Sequence, residues 1–306
     1  MNPKLRTVGL TSILSIAMLS GCDADRLDQY SEFATAGTLY VSGFHQLITQ
    51  AGSAMIAVDS VVMIVDHSLI APDLKANQAK YAAQVLDHDQ KLSTHLATLQ
   101  LIDGHATLLG SYFAAISRLT STKTAADTTS AATDVLKSIE TLNPSVAKAT
   151  FLGKSVQDYV TVGTPFVVAH LEVKALDEQL QKSAPIIDQA LSLQEAAVAA
   201  ISAEIKASLS DTLASREQTD VVAPYLRSTD LPANWNTNRE AFLRARVTLT
   251  NVESAQAAIK QLHVSFKQLV ENKAANVDLQ TLIGEITKMT AYVNAVDSTV
   301  KAGAPK

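Results

Sequence analysis

Residues 27–70 read LDQYSEFATAGTLYVSGFHQLITQAGSAMIAVDSVVMIVDHSLI, and their spacing decides the fold. Tyr30, Phe33, Gly37, Tyr40, Phe44, Leu47, Ala51, Ala54, Val58, Val61 and Val65 follow one another in steps of three and four. Positions spaced in this way share one side of a helix, as a seam of the coiled-coil kind. A neighbouring stripe of His45, Ile48, Gly52, Met55, Asp59, Val62, Asp66 and Leu69 widens the apolar arc, which predicts a central helix. The piece Met55 to Ile70 resembles a membrane span until Asp59, Asp66 and His67 are counted. An ionised Asp near the bilayer centre costs roughly 3 kcal/mol on insertion scales, so a helix buried in protein is expected.

Beyond it, Ala71-Pro72-Asp73 breaks the helix, because Pro lacks the donor and restricts its predecessor. A second helix is predicted to about Leu119, with the seam Tyr81, Val85, His88, Leu92, His95, Leu99, Ile102, Ala106, Leu109, Phe113, Ile116. So short a connection makes the two helices antiparallel neighbours. Residues 29–120 are therefore expected to form one long hairpin. Folding it about Pro72 brings His88 level with Asp59, and His95 nearer His45 and Gly52. His45, Asp59, His88 and His95 then allow three roles: a divalent-metal site, a pH-sensitive latch, or polar core residues that fix register. Asp87, Asp89, Asp103 and His105 lie off the seam or near its end, and are expected in solvent.

Residues 121–133 are rich in Ser, Thr and Ala and read as a connection. The remainder, 134–302, is expected to be a helical region packing with the hairpin. It opens with a helix over Asp134–Leu142, and Asn143-Pro144 and Thr164-Pro165 serve as later helix starts. Val167, Leu171, Leu176 and Leu180 point inward from the helix Phe166–Lys182. Pro185 starts or kinks a long helix whose core stripe is Ile187, Leu191, Val198, Ile201, Ile205 and Leu209, running to about Val222. Residues 223–236 form the one extended break. They hold Tyr225, Arg227, Leu231 and the chain's only Trp, Trp235, residues of the types enriched at binding hot spots; Trp235 either docks a partner or plugs the bundle end. Thr237-x-x-Glu240 reads as a capping box opening a single helix to Val270, in which Gln256 and His263 occupy core positions. A last helix keeps the heptad from Leu279 to Val300. The fold class is all-α, an elongated bundle of long antiparallel, coiled-coil-like helices. No alternating strand pattern is present.

The N-terminus gives the address. Lys4 and Arg6 precede the apolar stretch Val8 to Leu19, which is too short for a permanent span and reads as a signal peptide over residues 1–21. The stretch ends in Leu19-Ser20-Gly21-Cys22, which resembles the lipobox of bacterial lipoproteins. The resemblance covers these 22 residues only. It implies cleavage before Cys22, diacylglyceryl transfer to its thiol and acylation of the new terminus, with palmitate among the chains. It also implies a periplasmic protein of the cell envelope held to the membrane by lipid, with residues 22–28 as a short tether. Asp23, directly after the cysteine, matches the signal that keeps such proteins in the inner rather than the outer membrane.

Composition agrees. The one cysteine is taken by the lipid, which leaves no disulfide framework. Removing residues 1–21 leaves 23 Lys+Arg against 30 Asp+Glu, a net charge of −7, which argues against a nucleic-acid partner and against a polybasic membrane grip. No cysteine nucleophile, Gly-x-Ser-x-Gly turn or phosphate-cradling loop is present, and no cofactor is expected. The expectation is a non-enzymatic interaction or scaffold protein with an envelope protein as partner. The alternative is a ligand- or metal-binding helical module.

Overall fold

A computed structural model of the chain describes residues 14–66, 74–122, 150–151, 154–155, 176–271 and 277–303, with side chains of the first helix from Asp28 onward. In order these are α1 (Leu14–Asp66), α2 (Leu74–Thr122), β1 (Thr150–Phe151), β2 (Lys154–Ser155), α3 (Leu176–Glu217), α4 (Ala223–Arg227), α5 (Trp235–Thr250), α6 (Glu253–Val270) and α7 (Leu279–Gly303). The all-α bundle predicted from the seams is what forms.

α1 is the axis. It packs on α2, α3, α6 and α7, and Tyr30, Phe33, Tyr40, Phe44, Leu47, Ala51 and Ala54 of the expected seam are all buried. Phe33 lies edge-on to Phe113 of α2, at 5.6 Å between centroids, and stacks on Phe266 of α6 at 6.1 Å. Fully burying one such side chain contributes about 1.5–3 kcal/mol, so this half of α1 supplies much of the core.

The hairpin is antiparallel, as its facing pairs show. Gly37 meets Phe113, Val41 meets Gly110, Gly52 meets Leu96, and Asp59 meets His88, so advance along α1 is retreat along α2. α7 runs with α1 instead: Gly43 faces Met289, and Gln50 bonds Asp297. α3 opposes α2, through His105–Gln194 and Tyr112–Ser183. It also opposes α6, through the contacts of Asp188 with Lys267 and of Glu195 with His263. Thus α1, α3 and α7 point one way, and α2 and α6 the other.

Several expectations change. α2 buries nothing fully between residues 77 and 98, because over that length α1 is its main support, so the predicted seam there is only half-covered. The single helix expected to Val270 is two, α5 and α6, separated at Asn251–Val252, where the Asn251 amide bonds back to the Thr248 carbonyl. The Thr237–Glu240 capping box does not form. α5 already begins at Trp235, Asn234 provides no side-chain cap, and Glu240 binds Arg244. A side-chain N-cap stands instead at α7, where the Asp278 carboxylate accepts from the Thr281 amide and hydroxyl. The expected extended break 223–236 shrinks, since α4 occupies Ala223–Arg227. Of the two roles open to Pro185, the one that forms is within a long helix, α3, and the stripe from Ile187 to Leu209 is buried as predicted.

A two-residue antiparallel ladder pairs Thr150 with Ser155 and Phe151 with Lys154, in a region expected to be helical. Thr and Phe are residues that favour strands. The expected helix Asp134–Leu142, the caps at Asn143 and Thr164, and the Ala71-Pro72-Asp73 turn lie outside the described residues. Among the described residues no helix is long and apolar enough to cross a membrane.

Candidate functional site

Three places concentrate chemistry. The first is the set of histidines. His88 Nε2 lies 2.6 Å from Asp59 Oδ1, as folding about Pro72 predicts. His45 instead pairs with Asp103, so that Asp103, expected in solvent, is half-buried in an interhelical bond. His95 is exposed. The four candidate metal ligands therefore do not meet. The reason is helical rise: fourteen residues carry Asp59 about 21 Å from His45 along α1. Among the described residues no three His, Cys, Asp or Glu side chains are grouped to hold a metal ion.

His105, also expected in solvent, is buried. Its Nδ1 accepts from Gln194 Nε2 at 2.7 Å, which puts the ring proton on Nε2, and burial pulls the imidazole down to about 4. The signal was present in the sequence. Ile102, His105, Leu109, Tyr112 and Ile116 form a second three-four stripe beside the one that faces α1, and His105 and Tyr112 use it to reach α3.

His263, placed at a core position by the sequence, is buried with both ring nitrogens occupied: Nδ1 to Glu195 Oε1 and Nε2 to Asp188 Oδ1, each at 2.6 Å. A ring that bonds two carboxylates donates from both nitrogens and is cationic. Burial draws its pKa down, but the bonds to Glu195 and Asp188 outweigh that and raise it. Burial likewise raises Asp188, and the bonds from His263 and Lys267 more than reverse it. Burial, with Glu195 nearby, also pushes the Tyr40 phenol well above its ordinary value.

The second place is the corner around Trp235. The helical rod does not end with α3 at Glu217; it continues through one wide π-type turn, Gln218–Val222, directly into α4. Pro224 explains the widening, since it has no N–H for the Asp220 carbonyl four residues back and its ring crowds that carbonyl. The Trp235 indole donates to the Val221 carbonyl at 2.9 Å. Tyr225 stacks on the indole at 5.8 Å, and the Arg239 guanidinium lies 5.9 Å from its centroid. Tyr225 is 63% exposed and its neighbour Leu226 74%. Arg227 is exposed, and Leu231 and Trp235 are half-buried. The sequence candidates thus share one corner, where Trp235 is both pinned to the bundle and partly presented.

The third place is a cleft of about 730 Å³ between the distal part of α1, the end of α3, α5 and α7. Ala54, Ala57, Leu209, Leu213, Phe242, Ala295 and Val300 line it, with Arg216, Asp220 and Arg244 as its charged members. Leu243 and Val247, on the same wall, are 44% and 62% exposed. Sequence reasoning did not locate this cleft; its only sign was the alanine content of inward positions on three helices.

Comparison with protein-family models, with curated proteins and with solved structures finds no match for this chain. Among the described residues, fold and site together make an all-α bundle with histidine–carboxylate bonds and ion pairs between its helices, an aromatic corner and an apolar cleft.

Proposed function

We propose that this chain is a lipid-anchored, non-enzymatic interaction protein of the bacterial cell envelope, docking an envelope protein through the corner of Tyr225, Leu226, Arg227, Leu231 and Trp235. One observation carries the docking surface: two large side chains, Tyr225 and Leu226, stand well exposed beside an indole fixed at its buried edge. Rigid, partly covered aromatics of this kind bury much area at low entropic cost, as interface anchors do. The non-enzymatic reading draws support from three histidines, each bonded to carboxylates of a neighbouring helix: His88 to Asp59, His45 to Asp103, His263 to Asp188 and Glu195. The lipid anchor rests on Leu19-Ser20-Gly21-Cys22, and the inner membrane on Asp23.

Two experiments test it. Mass spectrometry of the natural protein should find acylated Cys22 at its N-terminus, and Cys22→Ser should leave the membrane fraction. A photo-crosslinking residue in place of Leu226 should capture one recurrent envelope protein, and Tyr225→Ala should abolish that capture while the circular dichroism spectrum keeps its helix signal. A membrane-bound Cys22→Ser protein sinks the anchor, and a capture pattern unaffected by Tyr225→Ala sinks the docking surface.

A further inference from the structure

The corner that holds Trp235 lies in the stretch where the chain concentrates its arginine. Between residues 216 and 246 stand five of the chain's eight arginines and no lysine, against four acids. The whole chain carries a net charge of −5, so this stretch reverses the local sign. Three of the arginines are matched inside the protein: Arg216 with Asp220, Arg244 with Glu240 and Arg246 with Glu217. That leaves Arg227 and Arg239 against Asp230. Both arginines are exposed, and among the described residues no carboxylate pairs with either.

These two guanidinium groups flank the apolar part of the corner. Arg227 ends α4, directly after the exposed Tyr225 and Leu226. Arg239 lies one turn into α5, 5.9 Å from the centroid of the indole on which Tyr225 stacks. The indole N–H is turned inward to the Val221 carbonyl, which fixes the ring that the other groups surround. A guanidinium over an aromatic ring uses its face there and keeps its N–H edges for other acceptors. The corner therefore sets N–H forks around an apolar centre, an arrangement that matches carboxylates on either side of a hydrophobic side chain.

We infer that the partner docks through an acidic segment, a short run of Asp or Glu interrupted by a large apolar residue. The apolar side chain rests on Tyr225 and Leu226, and the carboxylates meet Arg227 and Arg239. This rests on the docking reading above and gives its partner a chemistry. A uniform polyanion such as a nucleic acid fits worse, because Asp230 and Glu240 stand exposed in the same corner and repel a continuous line of phosphates. A bilayer fits worse for a geometric reason. α3 runs with α1, and its end lies beside Ala54 and Ala57, so the corner sits about 40 Å along α1 from Asp28. A tether at Cys22 holds the opposite end of that rod.

Trp235 is the chain's only tryptophan, so its fluorescence reports on this corner. The probe is a short synthetic peptide rich in Glu and Asp, with one Leu and no aromatic residue, titrated into the full chain. Companion peptides replace its acids by Gln and Asn, or by Lys. The acidic peptide should shift the emission saturably, and less tightly as salt is raised; the companions should not. Arg227→Gln and Arg239→Gln should each weaken it about fivefold. Lys206→Gln removes the same charge from an exposed position about four turns back along α3, and should change the affinity by less than about twofold. In cells, the partner peptide crosslinked through position 226 should lie in an acidic run. No saturable shift, a Lys peptide or phosphatidylglycerol vesicles that bind as tightly, or arginine variants that bind like the natural chain would each overturn the inference. Capture of one envelope protein at a segment without acids would overturn it while leaving the docking surface standing, whereas loss of all capture beside saturable peptide binding would sink the envelope partner and keep the chemistry of the corner.

Discussion

Acidifying the protein from pH 7 to pH 5 should unload one buried bond in a calculable way. His105 is 1% exposed and accepts from Gln194 through Nδ1, so the bundle holds it neutral. Its folded pKa of about 4 lies below the ordinary 6.5. A group depressed in this sense contributes stability that is fully present above 6.5 and is lost as pH falls toward 4. With 1.36 kcal/mol per unit, the loss between pH 7 and pH 5 is about 2 kcal/mol. The window stays above the ordinary carboxylate range. The comparison is with His105→Gln, which still accepts from Gln194 but carries no titrating group. Urea unfolding followed by far-ultraviolet circular dichroism at the two pH values gives the free energies. The natural chain should lose about 2 kcal/mol more than the variant between pH 7 and pH 5. If the two losses agree within about 0.5 kcal/mol, the imidazole is not held neutral and the assignment of its bond to Gln194 is wrong.

His263 has the opposite sign: its folded pKa is raised, so its contribution is fully present below 6.5 and is lost as pH rises through the raised value. Asp188, lowered, keeps its contribution above its ordinary 3.8 and loses it only as pH falls through the lowered value. The melting-temperature gap between the natural chain and His263→Gln should therefore be wider at pH 6 than at pH 8; equal gaps would exclude the cationic ring. Gly37→Ala places a Cβ 2.6 Å from the buried Phe113 ring, so about 1–3 kcal/mol of overpacking should exceed the roughly 1 kcal/mol gain in helix propensity. Gly104→Ala meets nothing within 4 Å and should stabilise by about 0.5–1 kcal/mol in the same urea assay. Trp235→Phe keeps a ring beside Tyr225 but removes the donor to the Val221 carbonyl, and should cost about 1 kcal/mol.

What the sequence made legible is the seam that faces one neighbour. Tyr30 to Ala54 on α1 and Leu279 to Val296 on α7 sit where three-four spacing puts them. What it hid is which neighbour each stripe meets. α2 has two adjacent buried stripes, and a single-seam reading sends His105 to solvent although it faces α3. The same limit explains the unmet metal set. Periodicity places His45, Asp59, His88 and His95 on matching faces, but axial rise separates them, and only Asp59 with His88 falls at one height. The cleft was less legible still, because a cavity is a missing side chain, and alanine fits a close-packed interface as well as an open one.

Cleft and corner share one structural element. Asp220 lines the cleft, and the carbonyl of the next residue, Val221, holds the Trp235 indole. Both residues lie in the wide turn that Pro224 imposes, the place in the α3–α4 rod where the regular backbone ladder is already broken. A π-type turn holds its residues in an alternative bonding register, and rearrangement toward the ordinary one needs only local changes. The exposed pair Tyr225 and Leu226 begins only four residues further along the same turn and helix, which is where a change in register would be felt first.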